Sequence, residues 1–70
     1  MPSTAIADID YDEDRQQLTV TFVTGRIYRY IDVPFDVAAG FQSAFSKGAF
    51  FNSQIRDRYA FREITSSPIT

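Results

Sequence analysis

Leu18-Thr19-Val20-Thr21-Phe22 alternates apolar with polar residues, and Tyr28-Arg29-Tyr30 resumes the alternation after Thr24-Gly25. Two such runs around a glycine predict an antiparallel hairpin. Its register follows from which side chains each loop length buries. A two-residue Thr24-Gly25 loop pairs Val20 with Arg29 and turns the guanidinium inward. A three-residue loop, Val23-Thr24-Gly25, with Gly25 left-handed as a bulge, pairs Leu18 with Tyr30 and Val20 with Tyr28 and leaves Arg29 outside. Desolvating an unpaired guanidinium costs several kcal/mol, whereas turning Ile27 and Ile31 outward forfeits about 1.5–3 kcal/mol each. The bulged register is therefore predicted, with Tyr28 and Tyr30 mainly core residues whose phenolic oxygens reach the edge.

The pattern extends on both sides. Residues 6–11 predict a first strand with Ile9 and Tyr11 on one face and Asp8 and Asp10 on the other, followed by a polar turn. Pro34 ends the third strand and suits the first turn of a helix whose dipole Asp36 complements. Val37, Phe41 and Ala44 form its apolar stripe, joined by Ala38 and Phe45. Gly40 costs about 1 kcal/mol there relative to alanine, which predicts a close approach of helix to sheet. Ser46 is the expected N-cap of a second helix over 47–55, entered through Gly48, with Phe51 and Ile55 on one face. Residues 58–64 predict a last strand with Tyr59 and Phe61 on one face and Arg58, Arg62 and Ile64 on the other. The expected fold is α+β, a small antiparallel sheet in the order β-β-β-α-α-β with two helices packed on one face. Residues 1–64 form one domain, and 65–70 a flexible tail.

A chain of 70 residues buries only about 60% of its unfolded surface, so the 7 phenylalanines and 4 tyrosines are needed to close the core. With no cysteine and no histidine, disulfides, thiolate metal sites and the commonest general base are all excluded. The first residues lack a basic and apolar leader pattern, and no run approaches the roughly 20 apolar residues of a membrane helix. The expected setting is cytoplasmic, with no membrane partner.

Net charge is −2, yet it is unevenly placed: Asp8, Asp10, Asp12, Glu13 and Asp14 precede the first base, while Lys47, Arg56, Arg58 and Arg62 face only Asp57. Oxygens at 8, 10, 12 and 14 miss the calcium-loop pattern, because Glu13 stands where glycine is required and Thr19 where the bidentate acid is required. Ser46-Lys47 lacks the spacing that stacks a nucleophile on its base, and Ser-Lys-Gly lacks the glycines of a phosphate loop. Asp8 and Asp10 lie on an open strand face where nothing separates their pKa values. No enzyme activity, cofactor or metal is expected.

The ordered set Tyr28-x-Tyr30, Val33-Pro34, Val37, Ser46-Lys47-Gly48, Phe51-Asn52, Ile55-Arg56 and Arg58-Tyr59-x-Phe61 resembles the KTSC domain. That small module is named for its occurrence at the C-terminus of some lysyl-tRNA synthetases and is also found as a stand-alone bacterial protein. Ala38 stands where an aromatic is common in the pattern, Phe45 and Ala60 where proline is common, and Phe50 lacks the hydroxyl of a frequent tyrosine. The synthetase context implies RNA as a ligand. The residues fit that implication: Lys47, Arg56, Arg58 and Arg62 would neutralise phosphates while Tyr59 or Phe50 stacks a base. The alternative is a protein-interaction module that pairs through an exposed strand edge or through an apolar outer face of Ile27, Ile31 and Val33, which a homodimer would cover.

Overall fold

The computed structural model describes residues 6–64; the tail expected over 65–70 lies outside them. Strands β1 (Ile6–Asp12), β2 (Gln17–Phe22) and β3 (Ile27–Tyr30) precede helix α1 (Phe35–Ser43) and helix α2 (Lys47–Phe50). A π-helical turn, Phe51–Ile55, extends α2, and strand β4 (Phe61–Ile64) closes the chain. The sheet is antiparallel with the helices on one face, as the sequence pattern predicts, and its strands lie in the order β1-β2-β3-β4.

The hairpin has the bulged register, with Leu18 opposite Tyr30 and Val20 opposite Tyr28. Gly25 sits at φ 96, the amide of Phe22 donates to the Arg26 carbonyl at 2.9 Å, and that of Gly25 donates to Phe22 at 2.8 Å. A second irregularity lies in β1, where the pairing shifts by one between Ile6 and Asp8. Ile6 and Ile9 are three apart, so a regular strand would face them oppositely. The shift turns both toward the helices, and both pack on the core.

Leu18, Val20 and Tyr30 from the sheet, Ala38 and Phe41 from α1, and Phe51 and Ile55 from the π-helical turn form the buried cluster, with Val33 among them. Val33 is a correction. Continued strand alternation places it outward with Ile27 and Ile31, but it is wholly buried. The strand stops at Tyr30, and Asp32 at φ 60 breaks the alternation, a left-handed conformation that aspartate tolerates. Val33 is then clamped on both backbone groups: its N–H donates to the Gln16 carbonyl at 2.9 Å, and its carbonyl accepts the Tyr11 hydroxyl at 2.6 Å. The apolar outer patch expected of three residues is thus reduced to the half-buried Ile27 and Ile31.

Three further expectations are corrected around the helices. Phe45 does not join the α1 stripe: the helix ends at Ser43, Ala44 is extended, and Phe45 is fully exposed. Gly40 admits a close approach, but of Phe50 rather than the sheet; a Cβ there would lie 3.2 Å from Phe50 Cζ. Phe50 stacks on Phe41 at 5.5 Å and 14°, which removes it from the residues that could stack on a ligand. Finally, the last strand begins at Phe61, leaving Arg58 in a turn and Tyr59 half-buried against the core. Ser46 caps α2 as expected, its Oγ accepting from the Ala49 amide at 3.2 Å.

Candidate functional site

The inner face of the sheet is wider than the helices that cover it. At the β3–β4 end this leaves a groove of about 580 Å³, bounded by the hairpin loop on one side and the end of the π-helical turn on the other. Its walls are aromatic: Phe22, Tyr28, Tyr30, Phe51 and Phe61. Phe61 pairs with Tyr30 across the strands and lies 5.3 Å from its ring and 5.4 Å from that of Tyr28. Tyr28 meets Phe22 edge-on at 5.6 Å, and Tyr30 meets Phe51 at 5.6 Å. These are the spacings of mutually supporting rings. Phe61 is nonetheless 53% exposed.

Two guanidinium groups stand at the rim. Arg26, at the foot of the hairpin loop, pairs with Glu63 at 3.3 Å. Arg56, beside Asp57, donates to the Asn52 side-chain oxygen at 3.4 Å. The π-helical turn sets the position of Arg56. In an α-helix, at about 100° per residue, position 56 would lie about 140° round from position 51. The 2.8 Å bond from the Arg56 amide to the Phe51 carbonyl instead closes the turn over five residues, bringing Arg56 back toward the side of Phe51. Both residues then line the same groove.

Tyr30 is buried apart from its line of contact with the groove, and its hydroxyl has no hydrogen-bond partner among the described residues. Burial, reinforced by the neighbouring Tyr28 and opposed by Arg56, pushes its pKa up to about 12. The phenol is therefore a proton donor at neutral pH. The groove offers ring stacking together with hydroxyl and guanidinium hydrogen bonds, with Arg26 paired to Glu63 and Arg56 beside Asp57, and this set suits a planar group that accepts hydrogen bonds.

The basic residues predicted from the sequence are not brought together. Of them only Arg56 lines the groove. Lys47 lies at the start of α2, its Nζ donating to the Ala44 carbonyl at 3.4 Å, beside a separate shallow depression with Asp8 and Gln42. Arg62 is on the opposite face of the sheet, across from Arg29, and Arg58 is exposed in the turn after the π-helical segment. Tyr59 packs on the core. Among the resembling-motif residues, Tyr28, Tyr30, Phe51 and Arg56 meet in the groove, Ile55 is core, and Asn52 holds Arg56. Ser46 and Gly48 build the helix start. Arg26 and Phe61 were missed as a pair with these, because only the β3–β4 register and the helix end place them there.

A sheet of this order, with helices on one face and an aromatic groove at its end, defines a small α+β domain. The model of the KTSC domain matches residues 2–59, and the chain belongs to that family. A crystal structure of a KTSC domain protein from Yersinia pestis is similar with a TM-score of 0.81 at 35% identity, covering 93% of this chain and 94% of that one. A lysine–tRNA ligase of Nostoc punctiforme is 33% identical over 60 residues, 86% of this chain but 11% of the ligase. The chain thus spans about a tenth of the length of the ligases it matches. An uncharacterised protein of Stutzerimonas stutzeri is 32% identical over 59 residues, 84% of this chain and 83% of its own length. Among the described residues no helix is long and apolar enough to cross a membrane.

Proposed function

We propose that this domain is a non-catalytic RNA-binding module of the cytoplasm that receives an unpaired base in the groove. The observation that carries the reading is the convergence of Phe61 and Tyr28, as a stacking surface, with Arg56 at the rim. Unpaired bases are commonly recognised on aromatic rings and guanidinium planes, with phosphates neutralised alongside. The similarity to a segment of lysine–tRNA ligases supports RNA as the polymer, and tRNA offers unpaired bases in its loops and at its end.

The test is a salt-dependent titration with mixed tRNA and with single-stranded RNA. Arg56→Ala is expected to weaken binding similarly across sequences and to lower the salt slope by roughly one counterion. Phe61→Ala is expected to cost about 1–3 kcal/mol per stacked base without changing the slope, and only for unpaired RNA. Lys47→Ala, remote from the groove, should leave affinity nearly unchanged. If the parent shows no salt-sensitive binding even near 50 mM salt, where electrostatic binding is strong, the RNA reading is wrong. The protein-interaction alternative then leads, and it draws on a different surface, the sheet face away from the helices.

A further inference from the structure

The outer face of the sheet carries a charge pattern that neither the core nor the groove uses. One cross-strand row runs Asp10, Thr19, Arg29, Arg62, and the next runs Asp8, Thr21, Ile27, Ile64. Strand alternation puts both rows opposite the buried Leu18, Val20 and Tyr30. Asp8, Asp10, Arg29 and Arg62 are all exposed. The β1 side of this face is therefore acidic and the β3–β4 side basic, with threonines between.

Arg29 and Arg62 sit directly opposite each other. Such pairs have Cβ atoms about 5 Å apart, and like charges in that position are unfavourable. Neither makes an ion pair among the described residues. The β1 carboxylates are two or three strand spacings away, about 10–14 Å, too far across solvent to relieve the pair within one copy.

We propose that this face pairs with a second copy of the chain about a two-fold axis running along the strands. That axis lays β1 of one copy over β4 of the other, so Asp10 faces Arg62 of the partner subunit and the reciprocal contact forms at the far side. Thr21 then lies over Ile27 of the partner subunit. An axis across the strands would instead set β1 on β1 and carboxylate on carboxylate, and charge rejects it. RNA is a poorer occupant of the same face, since its phosphates would meet Asp8 and Asp10 as well as the arginines. Four strands about 4.8 Å apart give a patch roughly 20 Å across, on the small side for a stable interface. The dimer is accordingly weak, concentration-dependent and weakened by salt.

Sedimentation of the parent up to about 1 mM at low salt should show reversible dimerisation that added salt reverses. The Arg29→Glu/Arg62→Glu and Asp8→Lys/Asp10→Lys variants should each be monomeric, while their equimolar mixture should form a heterodimer tighter than the parent. The chain has no cysteine, so introduced pairs read the axis directly. Asp10→Cys/Arg62→Cys should cross-link into closed dimers on mild oxidation, much faster than Asp10→Cys alone. A parent that stays monomeric throughout overturns the proposal. So does equal cross-linking by the single and double cysteine variants, or loss of RNA binding in the Arg29→Glu/Arg62→Glu variant of a monomeric parent. Phe61→Ala, which tests the groove, should leave dimerisation unchanged, so the two readings fail separately.

Discussion

The two ends of the inner sheet face use the same residue types for opposite ends. At the β1 end, Tyr11 lies 6.5 Å from Phe35, and its hydroxyl is tied to the Val33 carbonyl at 2.6 Å. Between the ends, Phe41 is wholly buried and stacked on Phe50. At the β4 end, Phe61 lies 5.4 Å from Tyr28 and 5.3 Å from Tyr30, yet the three line an open groove, and the Tyr30 hydroxyl has no partner among the described residues. The difference lies in what covers each ring. Over Phe41 the α1–α2 corner closes, with Gly40 admitting the Phe50 ring; over Phe61, among the described residues, there is only the end of the π-helical turn. The Phe41 ring closes into core where the helix corner meets it, whereas the Phe61 cluster stays open to the groove.

The comparison is broken most strongly by truncation. Phe41→Ala and Tyr30→Ala are each expected to cost about 3–5 kcal/mol, whereas Phe61→Ala, already half exposed, should cost under about 1.5 kcal/mol in a denaturant titration while removing the stacking surface. If Phe61→Ala unfolds the domain, the groove is core and the contrast disappears.

Backbone and hydrogen-bond changes come next. Tyr11→Phe leaves the Val33 carbonyl without its hydroxyl and should cost about 1–2 kcal/mol by urea midpoint. Gly25→Ala should cost about 1–2 kcal/mol, because its φ of 96 disfavours any Cβ even though nothing lies within 4 Å of one. Tyr30→Phe should be nearly neutral at pH 7, since no protein partner is lost.

The same Tyr30→Phe variant sharpens the contrast through pH. The Tyr30 phenol rises from its ordinary 10.0 to about 12 on folding, chiefly through burial. The folded state therefore keeps a proton that the unfolded chain releases earlier. That contribution is complete below pH 10 and is lost as pH climbs toward about 12. The parent's midpoint should fall more steeply than the variant's across this window; parallel curves would show that Tyr30 titrates as an open tyrosine. Smallest of all, Arg29→Ala on the outer face should alter stability by less than about 0.5 kcal/mol.

The hairpin register was legible because one wrong residue, an inward Arg29, costs more than all the alternatives recover. The Ser46 cap was legible because its chemistry is local, and so was the pairing of Phe51 with Ile55. Val33 and Phe45 were misplaced for a common reason: period-based reading assumes that a strand or helix continues, and a single residue, Asp32 at φ 60 or the extended Ala44, ends it. The basic segment from Lys47 to Arg62 was continuous in sequence but not in space, because β4 carries Arg62 to the far face while the helix start keeps Lys47 near β1.

By itself, then, the sequence determined the order of elements along the chain, the faces of the central hairpin, the capped second helix and the family. Each rests on interactions within a few residues or on the large cost of burying charge. Only the tertiary structure decided that Arg26, Arg56 and Phe61 share a groove, and that acids and arginines divide the outer face of the sheet. Those juxtapositions depend on where β4 docks and on the single extra residue in the turn ending at Ile55, and no periodicity along the chain encodes either.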